Sequence, residues 1–517
     1  MYNIGRYVPF SLLVSEQQQE RETKFAPEDF TGERRKAGME SVGSCLERPT
    51  LARERLYQRF RRRLVPNRQL DRKLVSFQAN RRLPFYGWLK YKESFSAEFV
   101  RYIIQQLTDE QGVLLDPFAG TGTALFAARD LGWNVVGIEL LPVGFFAILA
   151  RIAAEELNSG VFKRELEKIE HVRWEDYFTP ESKLHHIPIT EGAFPEKTEI
   201  LIAGYRAYCK QIRNTKLRNI FDLACLTILE SVSYTRKDGQ YLRWDHRAGK
   251  HRAKSTFDKG EIAEFDSAIR RKLWRMYHDL CGKRDTHLDL FDDKIDGRKK
   301  GTLDLRLGSC LETLPQIDTE SVDLVVTSPP YCNRYDYTRT YALELVYLGI
   351  DSEQIKQLRQ NMLSCTVENR TKLAQLKKLY ASFGHLEAFH EVTRIANRQR
   401  ALQETLGILQ ELASANKLNN PNIPKMIKNY FLEMCFVIYE LTRVLRPGGK
   451  VVMVNDNVRY AGEEIPVDLI LSDFAEKFGM GTKNIWTLAR GKGNSSQQMG
   501  AHGRTELRKC VYVWQKT

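Results

Sequence analysis

Two short segments hold the residues best suited to chemistry: Asp116-Pro117-Phe118-Ala119-Gly120-Thr121-Gly122-Thr123 and, far downstream, Thr327-Ser328-Pro329-Pro330-Tyr331. Each follows an apolar run that reads as a buried strand, Gly112 to Leu115 before the first and Val322 to Val326 before the second. Gly120 and Gly122 permit a tight turn and let the backbone approach a ligand, with amides opening onto the next helix. The second segment presents a hydroxyl and an aromatic ring on a turn stiffened by consecutive prolines. In an open α/β sheet, ligands sit beyond the carboxyl ends of the strands. Both segments therefore fall where two ligands would meet.

The elements that position them can be read outward from there. Thr123 to Leu131 is rich in helix formers and Gly132 supplies a stop. Trp133 to Glu139 reads as a second strand ending in an acid. An acid about twenty positions after such glycines is the usual partner of a ribose hydroxyl pair. Strand, glycine turn, helix, strand and acid in register favour a nucleotide-like ligand over a bare loop. Ser96 is a fair N-cap for an amphipathic helix from Ala97 to Leu107. Near the end of the chain, Val444-Leu445-Arg446-Pro447-Gly448-Gly449-Lys450 leads into a strand, Val451 to Val454. Strands near Asn484–Trp486 and Val511–Trp514 complete a sheet.

Together the two segments resemble the S-adenosylmethionine motif and the catalytic motif of DNA amino-methyltransferases. The Ser-Pro-Pro-Tyr spelling is similar to the N4-cytosine branch. The resemblance covers roughly Trp88 to Leu140, Arg306 to Tyr341 and Leu441 to the end. It implies a class I methyltransferase fold, a Rossmann-like and mostly parallel seven-stranded sheet, here with large helical insertions. It also implies S-adenosylmethionine as cofactor, held by Asp116, Phe118, Gly120, Gly122, Thr123 and Glu139. Ser309, in Leu307-Gly308-Ser309-Cys310, stands at the adenine position, where the family commonly has an acid. Tyr91 and Phe95 occupy the segment that closes over the methionine moiety, with an ordinary capped helix as the alternative.

In the second segment, Ser328 and the Pro329 carbonyl would accept protons from an exocyclic base amine, whose lone pair is otherwise delocalised into the ring. Pro330 stiffens the turn, and Tyr331 would stack on a base swung out of the duplex. Neither a metal nor a covalent enzyme intermediate is expected. Cys332 reads as a packing thiol, and Asp336 either touches the base or supports the loop.

The order of the parts, with long intervals between them, divides the chain into a basic segment (1–82), a cofactor half (83–145), a helical insertion (146–302), the catalytic strand and loop (303–350), a second helical insertion (351–426) and the end of the sheet (427–517). Glu199 to Arg213, Leu217 to Ser231 and Ala401 to Ala413 read as helices. The bare fold needs only short connections, so the insertions carry something extra. The first interleaves bases with aromatics in Tyr234 to Arg247, which suits phosphate contact and base stacking. Arg236, Lys237, Gln240, Arg243, Trp244 and Arg247 are its candidate DNA-contacting residues, and the alternative is that it only covers the sheet. Asn494 and Gln497, in the polar loop Arg490 to Gly500, are candidates for holding the base or its flanking phosphates; a plain surface loop is the alternative.

Composition agrees with a polyanionic partner. The 517 residues carry a formal net charge of +14, and Arg48 to Arg82 is rich in Arg and Lys with few acids. The nine cysteines form neither a CxxC nor a Cys/His cluster with zinc spacing, so they read as reduced thiols of a prokaryotic cytosolic protein. Neither a signal peptide of the usual pattern nor an apolar run of membrane-spanning length is evident. Double-stranded DNA is the expected partner, with no membrane. A separately acting restriction endonuclease is the companion that the resemblance implies. N6-adenine methylation is the runner-up, since both amines share one geometry; RNA methylation and DNA binding without catalysis follow.

Overall fold

The structure, a computed structural model, describes residues 2–4, 51–238, 241–248, 257–282, 299–488 and 507–517. In chain order its strands are β1 (Tyr2–Ile4), β2 (Leu64–Pro66), β3 (Val113–Asp116), β4 (Asn134–Glu139), β5 (Thr235–Asp238) and β6 (Tyr241–Trp244). They continue with β7 (Leu303–Leu307), β8 (Val322–Thr327), β9 (Leu445–Asp456), β10 (Val458–Tyr460), β11 (Glu463–Ile465), β12 (Met480–Thr487) and β13 (Lys509–Lys516).

Nine of these form the main sheet, in the order β1-β7-β4-β3-β8-β9-β13-β12-β2. The expected seven are the inner ones. The two further strands, β1 and β2, are three-residue additions at the edges, paired parallel with β7 and β12. Only β13 runs against the rest. From β3 the chain builds outward through β4 to β7 on one side, then returns to lay β8 on the other. That reversal opens a crevice at the carboxyl ends of β3 and β8, where both motifs emerge.

The sheet is apolar on both faces because its strands alternate Val, Leu and Met over two cores. Leu114, Val135, Leu324, Val326, Val452 and Val511 face one core, with helices Ala97–Leu107, Thr123–Asp130 and Pro142–Glu156. Leu115, Val325, Val451, Met453, Tyr512 and Trp514 face the other, under helices Ile423–Val444 and Val467–Lys477. Near-continuous burial, with successive side chains alternating between the two cores, is what a sheet sandwiched between helices requires. The helix Ala97–Leu107 starts as expected: Ser96 accepts from the Phe99 N–H at 3.1 Å, a cap worth about 1 kcal/mol.

Both insertions are mainly helical, and the first also carries the β5–β6 hairpin. Glu196–Gln211 and Thr215–Val232 stand close to the expected spans, and with Phe265–Gly282 they bury Trp174, Tyr205, Phe221 and Phe265 in a third core. That core also takes in Trp88, Leu89 and Tyr91 from before β3 and Tyr337 to Ile350 from after the catalytic loop. The insertion is therefore built onto both motifs' flanks. In the second insertion, Arg400–Ser414 matches its expectation within a residue at each end, while the helix Ile423–Val444 runs through residue 426 without a break.

The basic segment is partly structural. Helix Leu51–Phe60 packs into the second core through Leu56 and Phe60. Arg53 pairs with Glu404 and Glu463, and Arg59 with Asp473 and Glu476. Arg61 and Arg62 remain exposed.

Candidate active site

The glycine turn is fixed by backbone conformation. Gly120 and Gly122 have φ of 55° and 76°, in the left-handed region that disfavours side chains. A Cβ on Gly120 would come within 3.2 Å of the Tyr91 ring, and one on Gly122 within 2.9 Å of Phe126. Gly122 is the N-cap residue of helix Thr123–Asp130, so its turn aims the helix amides forward. Ser94 and Thr123 share a hydroxyl hydrogen bond of 3.0 Å, closing the segment before β3 onto this turn.

Two acids stand at adjacent strand ends. Asp116 closes β3 and is 2% exposed; its Oδ1 accepts from Thr327 Oγ1 at 2.7 Å and from the Phe118 N–H at 3.1 Å. The first of these bonds joins the cofactor motif to the catalytic strand. Burial pushes the Asp116 carboxyl up to about 7. Glu139 closes β4, where its two oxygens accept from the Gly120 N–H at 2.5 Å and the Leu141 N–H at 2.6 Å. Burial outweighs those bonds and pushes its carboxyl up to about 8.

A cleft opens beyond these strand ends, between the two motifs. Tyr91, Phe95, Asp116, Phe118, Gly120, Thr123, Glu139, Ser309, Ser328 and Pro330 all line it. Gly122 shapes it from behind the turn, while Pro329 and Tyr331 stand outside its lining.

Ser328 leaves the end of β8 at the lip of the cleft. Its hydroxyl donates to the Val454 carbonyl of β9 at 3.1 Å, which commits its proton and leaves its oxygen as an acceptor. Burial, then the Asp456 carboxylate, push the Tyr331 phenol pKa up. Cys332 is wholly buried, a free thiol whose pKa burial raises. Asp336 is 4% exposed and caps the helix Tyr337–Thr340, accepting from Thr338 and Arg339, so it supports the loop.

The cleft also takes in residues that belong to neither motif. Glu93 lies between Tyr91 and Phe95, and Tyr337 follows the turn of Ser328 to Tyr331, but Asn361, Met362 and Leu363 come from the second insertion. Ser309 Oγ donates to the Asn361 carbonyl at 3.0 Å. Its hydroxyl thus anchors a wall of the cleft, and its oxygen retains lone pairs for a ligand amine.

The expected DNA-contacting residues divide. Arg236, Arg243 and Arg247 are exposed. Arg243 lies 4.1 Å over the Phe257 ring, and Arg247 grips the buried Asp245 at 2.6 and 2.9 Å. Trp244 is half-buried against the insertion core. Lys237 corrects the expectation: it is 6% exposed and its Nζ pairs with Glu344, so it cannot reach a phosphate. The cause is strand alternation, since Thr235 and Lys237 face in while Arg236 and Asp238 face out. Gln240, Asn494 and Gln497 lie outside the described residues. Among the described residues, no helix is long and apolar enough to cross a membrane.

Comparison with known proteins agrees with this geometry. A DNA methylase family model of the N6/N4 type matches residues 58–143, the segment that runs from before β2 to just past Glu139. The type II methyltransferase M.AvaI of Nostoc sp. is 45% identical over 465 residues, 89% of this chain and 92% of the relative. The type II methyltransferase M.BsoBI of Geobacillus stearothermophilus is 39% identical over 493 residues, 90% and 92% of the two chains. The type II methyltransferase M.MvaI of Kocuria varians is 22% identical over 395 residues, 74% and 78%. The cleft fits S-adenosylmethionine on its own terms: a turn with no room for side chains at Gly120 and Gly122, aromatic walls, and an acid at the end of β4. On the extent of these matches, the chain belongs to the type II DNA methyltransferases of restriction–modification systems, which take their methyl group from S-adenosylmethionine.

Proposed function

We propose that this methyltransferase modifies the exocyclic N4 amine of cytosine within a specific duplex sequence, as the modification partner of a separately acting restriction endonuclease in a prokaryotic cytosol. The observation that carries the choice of base is Ser328, a neutral hydroxyl where an adenine-modifying enzyme usually has a carboxylate. Its proton is committed to Val454, so its oxygen is oriented to accept from an amine N–H. A second acceptor, the Pro329 carbonyl, lies one residue on, and two acceptors in the amine's plane would draw its nitrogen toward tetrahedral geometry. Bound in the cleft, S-adenosylmethionine supplies the electrophilic methyl group. Glu139 would accept from its ribose hydroxyls, Ser309 from its adenine amine, while Tyr91 and Phe95 exclude water around the methionine moiety. The turn through Pro330 holds Tyr331 beside Ser328, where its ring would stack on the flipped base. No step calls for a metal or a covalent bond to the enzyme; positioning and fixed hydrogen-bond acceptors supply the catalysis.

Sequence reading is assigned to the first insertion, with Arg236, Arg243 and Arg247 on its exposed face; Gln240, Asn494 and Gln497 complete the proposed DNA set. The test is single-molecule sequencing of genomic DNA from a methylation-free host expressing the chain, beside an empty-vector control. N4-methylcytosine at one recurring motif is expected. N6-methyladenine there would overturn the reading of Ser328 while leaving the fold and donor intact.

A further inference from the structure

Lys237 is a buried cation that the proposed chemistry does not use. Its Nζ pairs with the Glu344 carboxylate, and the two side chains are 5% and 2% exposed. The same ammonium lies 4.2 Å from the centre of the Tyr341 ring. Tyr341 is held from two further sides. Its hydroxyl donates to Glu93 Oε2 at 2.6 Å, and its ring stacks on Tyr91 with centroids 5.0 Å apart and planes 17° apart. Tyr91 and Glu93 both line the cofactor cleft, and Tyr91 is the ring that closes on Gly120. Three contacts therefore run from β5 of the insertion through Tyr341 to the wall of the cleft, and Glu344 holds the lysine at their origin.

A second set of bonds ties the same strand to the same segment through the backbone. Lys92 Nζ donates to the Lys237 carbonyl at 3.0 Å, and the Lys237 N–H donates to Glu230 at 3.0 Å. Lys90 approaches that glutamate at 3.8 Å. The immediate chain neighbours of Tyr91 are thus stitched to β5 independently of the buried ion pair. On the outer side of the same two strands stand Arg236 and Arg243, paired across the hairpin.

A desolvated ion pair is a poor source of stability when apolar residues of similar size would pack as well, and its geometry is what it contributes. Here the geometry points at an aromatic stack whose far member is the cofactor wall. We propose that Lys237 and Glu344 are positioning residues that set the Tyr341–Tyr91 stack, so that the β5–β6 hairpin and the S-adenosylmethionine cleft are energetically coupled. A duplex held by the outer face of the hairpin would then tighten cofactor binding, and bound cofactor would tighten the duplex by the same factor. The coupling to DNA rests on the reading that Arg236 and Arg243 face the duplex; the positioning of Tyr91 does not.

The test measures S-adenosylmethionine affinity by calorimetry, alone and with a duplex carrying the modified motif. It compares the full-length protein with Lys237→Met, Lys237→Arg and the double variant Lys237→Met/Glu344→Leu. The double variant leaves no unpaired buried charge and guards against misfolding of the single one. The expected result for the wild type is several-fold tighter cofactor binding in the presence of the duplex. The double variant should melt within a few degrees of the wild type, bind cofactor about tenfold more weakly and lose the response to DNA. Lys237→Arg, which keeps the cation over Tyr341, should recover part of both. The fold-change should appear in KM for S-adenosylmethionine, with kcat at saturation little altered. Wild-type cofactor affinity in the folded double variant would overturn the proposal. The hairpin's DNA-facing role is judged separately by Arg236→Ala/Arg243→Ala: unchanged duplex affinity there would remove that reading and leave the effect of the double variant on cofactor standing.

Discussion

The strand ends of β3 and β8 and the outer face of the β5–β6 hairpin are built in opposite ways. At the strand ends, with the neighbouring end of β4, short side chains and backbone groups are locked by buried or part-buried hydrogen bonds: Asp116 to Thr327, Glu139 to Gly120 and Leu141, Ser328 to Val454. On the hairpin, long cations stand at the surface with exposed partners, Arg243 over Phe257 and beside Asp238, and Arg236 exposed. The first construction holds the reacting groups in one geometry, as methyl transfer to a weak nucleophile demands. The second holds charge near a surface and leaves it free to adapt. Substitutions in the two regions should therefore fail differently, abruptly in one and gradually in the other.

The largest effect is expected at the glycine turn. Gly120→Val places a branched side chain against Tyr91 at a left-handed φ, and S-adenosylmethionine binding by calorimetry should fall below detection. Retained affinity would remove the turn from the cofactor site. Ser328→Ala should reduce methyl transfer on the order of a hundredfold or more, with cofactor affinity nearly unchanged. Loss of cofactor binding instead would show that this residue belongs to the donor side of the cleft.

Glu139 sharpens the comparison through pH. Its carboxyl is pushed up to about 8 by burial, and accepting two ribose hydroxyls on top of the Gly120 and Leu141 amides needs the full acceptor capacity of the ionised form. Cofactor affinity should therefore rise as pH climbs through about 8, because below it a proton must first be lost. Glu139→Gln should bind roughly tenfold more weakly and flatten that profile, a contrast of about 1.4 kcal/mol. A wild-type profile in the variant would assign the titration elsewhere. The smallest effect belongs to the hairpin. Arg236→Ala should weaken duplex binding modestly and reduce the slope of log affinity against log salt by about 1. An unchanged slope would place the phosphate contacts on another surface.

What could be read from the sequence follows the same division. Gly120, Gly122, Glu139 and Ser328 stand next in the chain to strands and helices with clear periodicity, so local pattern sufficed to place them. The cap at Ser96 and the helix Ala97–Leu107 were legible for the same reason. Asn361, Met362 and Leu363 reach the cleft only through tertiary packing, with Ser309 bonded to a carbonyl 52 positions away, and no local signal marks them. The ion pairs of Arg53 and Arg59 join residues more than 300 positions apart, so a run that reads as free positive charge is partly consumed inside the fold. Lys237 differs from these. Its inward orientation follows from the alternation of Thr235, Arg236, Lys237 and Asp238, a period that the mixture of basic and aromatic residues masks.

The identity of the methylated atom tests the account most directly. Purified protein would be incubated with deuteromethyl S-adenosylmethionine and duplex DNA carrying the modified motif, and the DNA then digested to nucleosides for mass spectrometry. Label in N4-methyldeoxycytidine, and its loss in Ser328→Ala, is the predicted result. Label in N6-methyldeoxyadenosine would contradict the role given to Ser328.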